Sequence, residues 1–152
     1  MTVNAVSSVS LDPMLLLFCP GKLTRLGKYA QQIPGFTVNF LRDDQRALST
    51  FFAGSWKDPN PPVFHFTPTR TALRLEGAIA SLDCETERVM EAGDHWIVIG
   101  RVVDLHAAPH PQRPLVFFHG QYRHLDATEA TPAPDLVNAH DAPFHLHYDG
   151  WD

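Results

Sequence analysis

Two long segments, AIASLDCETERVM and HWIVIGRVVDLH, run into each other through EAGDH. This pair constrains the fold more than any other feature of the chain. Ile and Val stand in both halves, and Gly93-Asp94 supplies the chemistry of a tight hairpin tip. A lone hairpin is marginal in water, so two strands of this length need partners that cover one of their faces.

The rest of the chain offers such partners. MTVNAVSSVSLDP alternates as an extended strand. Thr2, Asn4, Ser8 and Ser10 fall on one face with Val6 the exception, and Val3, Ala5, Val9 and Leu11 fall on the other with Ser7 the exception. A face of small hydroxyls and an amide is either an edge strand turned to water or a cradle for a polar ligand. Met14–Cys19 is a continuous apolar run that predicts a fully buried strand ended by Pro20-Gly21. Lys22–Gln32 then reads as a short helix, stopped by Pro34-Gly35. FTVNFL alternates, with Phe36, Val38 and Phe40 on one face. Asp43 or Asp44 is placed to cap a second helix carrying Leu48, Phe51 and Phe52. The proline-dense KDPNPPVFHFTPTR predicts a loop pinned by Trp56, Phe64 and Phe66. PLVFFHGQYRHL gives two short strands around His119-Gly120. The expected architecture is mainly β, a small antiparallel barrel with Greek-key connections and two short helices. One domain over residues 1–126 is expected, with 127–152 an irregular tail.

At 152 residues with 44% hydrophobic content, the chain can bury a core. A net charge of -5 argues against nucleic acid or an anionic membrane as a partner held by bulk electrostatics. MLLLFC is too short to span a bilayer. Cys19 and Cys84 lie in apolar runs and read as small buried residues of a reducing, cytoplasmic compartment. Met1 falls inside the first strand-like segment, which suggests a missing or unconventional N-terminus.

Taken in order, MTVNAVSSVSLDP, LLLFCPGK, GFTVNFLRDDQRALSTFFA, AIASLDCE, AGDHWIVIGRVVDL and PLVFFHGQYRHL resemble the flavin reductase-like family over about residues 1–125. These are FMN- or FAD-binding split barrels, many of them reductase components of two-component monooxygenases. FCPGK is closest to reductases serving hydroxylases of aromatic compounds. The resemblance implies an NAD(P)H-dependent flavin reductase that uses FMN or FAD and NADH or NADPH. It also implies a homodimer and a partner monooxygenase. Thr2, Val3, Asn4 and Ala5 match the stretch that runs along the flavin edge, and Ser8, Val9 and Ser10 match further close contacts. Small side chains there let the backbone approach a flat ring. Cys19, Pro20, Gly21, Lys22, Thr24 and Arg25 match the region used for the flavin phosphate and ribityl chain. A helix start would favour that phosphate. Ala53 and Gly54 match a further flavin contact. His95 matches the histidine that places the nicotinamide. The resemblance implies a helix and a strand before the position of Met1, where the family usually begins. Met14, Leu26 and His119 stand where relatives often carry proline, Ser/Thr and arginine.

Two other readings stay open. One is a flavin-binding split barrel without turnover. The other is a small metal-binding β-domain using His140, His145 and His147 with Asp141 and Asp149, since HLH is a spacing some metal sites use. Surface histidines are the commoner explanation, and no metal ligand is assigned. GxSxG, HExxH and P-loop motifs are absent, which removes support for hydrolase, zincin and NTPase chemistry.

Overall fold

The computed structural model describes residues 1–110 and 112–125. The strands in chain order are β1 (Val6–Leu11), β2 (Met14–Phe18), β3 (Gly35–Phe40), β4 (Phe66–Pro68), β5 (Leu73–Leu75), β6 (Ala80–Ala92), β7 (His95–Ala107), β8 (Val116–Phe118) and β9 (Gln121–Arg123). One helix, α1 (Arg46–Phe52), follows β3. Five strands form one antiparallel sheet in the order β1-β2-β7-β6-β3, and β4-β5 and β8-β9 form separate ribbons. The long β6–β7 hairpin is thus inserted between β2 and β3, as a Greek-key connection requires.

The hairpin register follows from its tip. Ala92 pairs with His95, so only Gly93 and Asp94 turn. Gly93 takes a φ of 57° while Asp94 keeps a negative one, the pattern of a type II′ turn. Across the sheet, Phe18 on β2 and Val98 on β7 face each other and are buried at 4% and 0% exposure. The Phe18 ring meets Phe36 edge-on at 4.8 Å. Gly100 makes room for that ring. A Cβ on Gly100 would lie 2.4 Å from Phe36 Cζ and 3.0 Å from Cys84 Cβ. A second cluster joins Phe51 and Phe52 of α1 to Phe64 and Phe66, so these two aromatics pin the proline-rich loop as expected. Trp56 instead donates its indole N–H to Asn60 O within the loop.

The polar face of β3 fixes the β4–β5 ribbon. Asn39 Oδ1 accepts from Leu75 N and Ser81 Oγ, while Thr37 donates to Asp83. Asp83 is buried, and it also accepts from Thr69 Oγ1 at 2.8 Å, Thr71 Oγ1 at 2.5 Å and Thr71 N at 3.3 Å. Burial alone would raise its carboxyl pKa. The donors, led by the Thr71 hydroxyl, outweigh that and hold it below the usual aspartate value. Cys84, beside it, is pushed up to about 12 by burial and then by the Asp83 charge.

Several local expectations need correction. Lys22–Gln32 is not a helix; it holds only a 3-10 turn at Gly27–Tyr29. Gly27 falls mid-window, where glycine costs about 1 kcal/mol relative to alanine, and eleven residues between two Pro-Gly stops are too few to compensate. The first strand starts at Val6, not Thr2, because Thr2 N donates to Phe52 O rather than to a strand. Its alternation is broken by a bulge at Val9 between Ser8 and Ser10. Met14–Phe18 is only half buried: Leu16 and Phe18 face the core while Leu15 and Leu17 do not. Neither aspartate caps α1. Gln45 Oε1 accepts from Arg42 N, while Asp44 chelates Arg42 and Asp43 pairs with Arg113.

Candidate active site

The segments singled out in the sequence converge on one end of the sheet through backbone hydrogen bonds. Beyond β2, the chain continues alongside the start of β7. Trp96 N donates to Pro20 O at 3.0 Å, Gly21 bridges His95, and Lys22 N donates to Asp94 O at 2.9 Å. On the other side of the same strand, Cys19 N donates to Ala5 O at 3.3 Å. Thr2 is tied to the C-terminal half of α1, its amide to Phe52 O and its hydroxyl to Ser49 O at 2.7 Å. That helix ends in a Schellman motif. Gly54 N donates to Phe51 O and Ser55 N to Thr50 O, with Gly54 at φ 77°. The N-terminal segment, the Cys19–Arg25 loop, the Ala53-Gly54 cap and His95 therefore form one connected chain of contacts.

Ser8, Val9 and Ser10 stand apart from this junction. They run up β1 opposite Leu16 and Leu15, Ser10 about 16 Å of strand from Ala5.

The loop is built around Thr24. Its hydroxyl donates to Gly21 O at 2.7 Å and accepts from Gly27 N at 3.0 Å, while Thr24 N also donates to Gly21 O. The Thr24 proton is thus committed to the loop itself. Gly27 closes the turn from beneath: a Cβ there would lie 2.0 Å from Gly21 O and 3.0 Å from Lys22 Cα. Sequence reasoning missed this residue, because a glycine in a presumed helix carries no visible packing role.

Charge is concentrated here. Between Pro20 and Ala30 stand Lys22, Arg25 and Lys28 and no carboxylate. Lys22 Nζ is held by Glu91 and lies 5.1 Å from the centroid of the Trp96 ring. Arg25 and Lys28 are exposed and make no ion pair among the described residues. Glu91 and Trp96 were also missed, although they follow from the hairpin register, which sets them directly opposite each other.

His95 is half exposed, with Nδ1 2.8 Å from Asp94 Oδ1. That hydrogen bond, and then the charge of His95, hold the Asp94 carboxyl below its usual range. A carboxylate can only accept, so Nδ1 donates to Asp94, and Nε2 makes no hydrogen bond among the described residues. Nε2 points at Gly21, 3.5 Å from where a Cβ on that residue would stand.

The donor set fits a flavin nucleotide. Asn4, Ala5, Ser8, Ala53 and Gly54 are small and exposed, so a planar ring can lie against backbone, and the basic loop suits an anionic tail. No group of three metal-ligating side chains is found among the described residues. His140, His145, His147, Asp141 and Asp149 lie outside them. No described helix is long and apolar enough to cross a membrane.

The fold and this site define a flavin reductase-like split barrel. The sequence profile described as "Flavin reductase like domain" matches residues 1–126, and the chain belongs to that family. It is 33% identical over 131 residues to the reductase subunit HsaB of a flavin-dependent monooxygenase from Rhodococcus jostii, spanning 86% of this chain and 67% of that one. Among solved structures, it superposes on flavin reductase PheA2 with a TM-score of 0.75 at 35% identity, over 82% of this chain and 78% of that one. It also superposes on the NADH:FAD oxidoreductase SgcE6 of Streptomyces globisporus, solved with NAD and FAD fragments. That match has a TM-score of 0.73 at 27% identity, over 84% and 77% of the two chains.

Proposed function

We propose that the protein is an NADH-dependent flavin reductase that supplies reduced FMN or FAD to a partner monooxygenase. The observation that carries this reading is the backbone junction of the Pro20–Lys22 loop with Asp94–Trp96, which sets a basic loop beside a half-exposed histidine. The flavin, when bound, supplies the hydride chemistry, so the chain needs no nucleophile. Its own residues bind and align. The Thr2–Ala5 segment and the Ala53-Gly54 cap flank the ring, and Ser8–Ser10 extend that surface along β1. Lys22, with Arg25 nearby, holds the phosphate. Thr24 shapes the loop rather than donating to the ligand. His95, its Nδ1 held by Asp94, positions the nicotinamide over the ring, where reacting atoms need to approach to roughly 3–3.5 Å.

Three further points belong to this reading. Residues 1–126 are the working domain, the stretch the family profile covers. Two copies pair through apolar sheet surface, which Val9, Leu11 and Met14 on the β1–β2 hairpin supply at 44, 55 and 39% exposure. The reaction runs in the cytoplasm, where NADH and reduced thiols coexist; Cys19 and Cys84 are both free.

The test is steady NADH oxidation by the purified protein with added FMN or FAD, with NADPH run in parallel. Turnover that requires added flavin supports the reading. Tight flavin binding without turnover, under either nicotinamide, replaces it with a non-catalytic flavin binder.

A further inference from the structure

Resting on the assignment of the Pro20–Arg25 loop to the flavin phosphate, we propose that Glu91 is a specificity-determining residue. It competes with the phosphate for the Lys22 ammonium, and so sets how strongly the site favours phosphorylated over unphosphorylated flavin.

The competition is built into the hairpin. A two-residue turn at Gly93-Asp94 places Glu91 directly across from Trp96. The Lys22 backbone is fixed to the same turn by the hydrogen bond its N–H donates to Asp94 O, two residues after Pro20 O accepts from Trp96 N. From that anchor the Lys22 side chain reaches over the Trp96 ring and ends on Glu91 Oε1. Trp96 packs against the Phe18–Val98 core and is a fixed platform. Glu91 is not: its side chain is 70% exposed, against 25% for Lys22.

Solvent-facing ion pairs of this kind hold weakly and exchange readily. A phosphate carries more charge than a carboxylate and offers three strong acceptor oxygens, so it can take the ammonium from Glu91 without moving the Trp96 platform. The cost of that exchange is charged to phosphate binding alone. Riboflavin, which lacks the phosphate, never makes it. Arg25 and Lys28 have no comparable partner among the described residues, so Lys22 is the cation of this loop whose grip is tempered. A tempered grip suits a flavin that must depart once reduced.

Quenching of flavin fluorescence gives Kd for FMN and for riboflavin with wild type, E91Q, K22M and the double variant. Freeing the Lys22 ammonium from this exposed pair tightens FMN by about three- to fivefold in E91Q and leaves riboflavin unchanged within about twofold. K22M weakens FMN selectively. In the K22M background, E91Q changes FMN affinity by less than about twofold, because its effect runs through Lys22. Wild-type FMN affinity in E91Q, with K22M still selective, overturns the proposal and leaves the phosphate assignment standing. Equal tightening by E91Q in both backgrounds also overturns it, since Glu91 would then act by plain repulsion. If K22M weakens FMN and riboflavin alike, the phosphate assignment falls and the proposal falls with it.

Discussion

Gly27→Ala should damage the site from a position that touches no ligand. The added Cβ would sit 2.0 Å from Gly21 O and 2.9 Å from Gly21 C, where ordinary contact begins near 3.4 Å. The three nearest atoms it meets are all backbone, so no flexible side chain can relieve the clash. The loop has to rise by more than an ångström. That movement strains the two bonds from Thr24 to Gly21 O, the Gly21–His95 bridge and the Lys22–Asp94 bond together. Overpacking of this kind costs about 1–3 kcal/mol of stability. Because Lys22 and His95 are positioned by the same backbone, FMN affinity should fall by at least about tenfold, or about 1.4 kcal/mol. Urea unfolding measures the first and FMN titration of the folded protein the second. Gly120→Ala is the control: it meets nothing within 4 Å, and its φ of 73° costs about 1–2 kcal/mol without touching the loop. A Gly27→Ala protein with wild-type stability and wild-type FMN affinity would refute the reasoning.

Other outcomes follow from the same geometry. Asp83→Asn should cost about 2–3 kcal/mol at neutral pH, because the buried carboxylate satisfies three hydroxyls and an amide. Its folded pKa lies below the unfolded value, so the stability gap between wild type and variant is full above about pH 4 and shrinks as pH falls below it; a gap that grows on acidification contradicts this. Gly100→Ala should destabilise by about 1–3 kcal/mol through collision with the Phe36 ring, read by thermal unfolding. Iodoacetamide should label native protein at Cys19 and spare Cys84, whose thiol is buried and held at about 12; mass spectrometry of the peptides reads the site. Cutting the chain after Asp126 should leave FMN binding intact or modestly reduced, measured by the same titration.

Period-two patterning and turn chemistry carried most of the fold. The β6–β7 hairpin, its Gly93-Asp94 tip, the strand at β3 and the His119-Gly120 turn were all legible, because each is set by neighbours in sequence. Positive φ at His119 and Gly120 is local chemistry of the same kind. What failed were elements decided by distant partners. Lys22–Gln32 has helical spacing, but its backbone is claimed by Gly21 and Asp94, and Gly27 must pack under the loop. Thr2–Ala5 alternates like a strand, yet its amide is taken by α1. At the site, residue types were recognisable and pairings were not. Lys22 stood out as a cation, while Glu91 became visible only once the hairpin register set it opposite Trp96.

Under the proposed function, His95 places a nicotinamide over a flavin held by the neighbouring loop. Anaerobic stopped-flow mixing with NADH, following loss of the oxidised flavin's absorption, tests it most directly. Wild type should reduce bound flavin rapidly. His95→Ala should do so roughly ten- to a hundredfold more slowly, equivalent to about 1.4–2.7 kcal/mol of transition-state stabilisation. Flavin affinity should stay nearly unchanged, and reduction by dithionite, which needs no nicotinamide site, should proceed equally in both. A variant that matches wild type with NADH, or a wild type that binds flavin and never accepts hydride from NADH or NADPH, would contradict it.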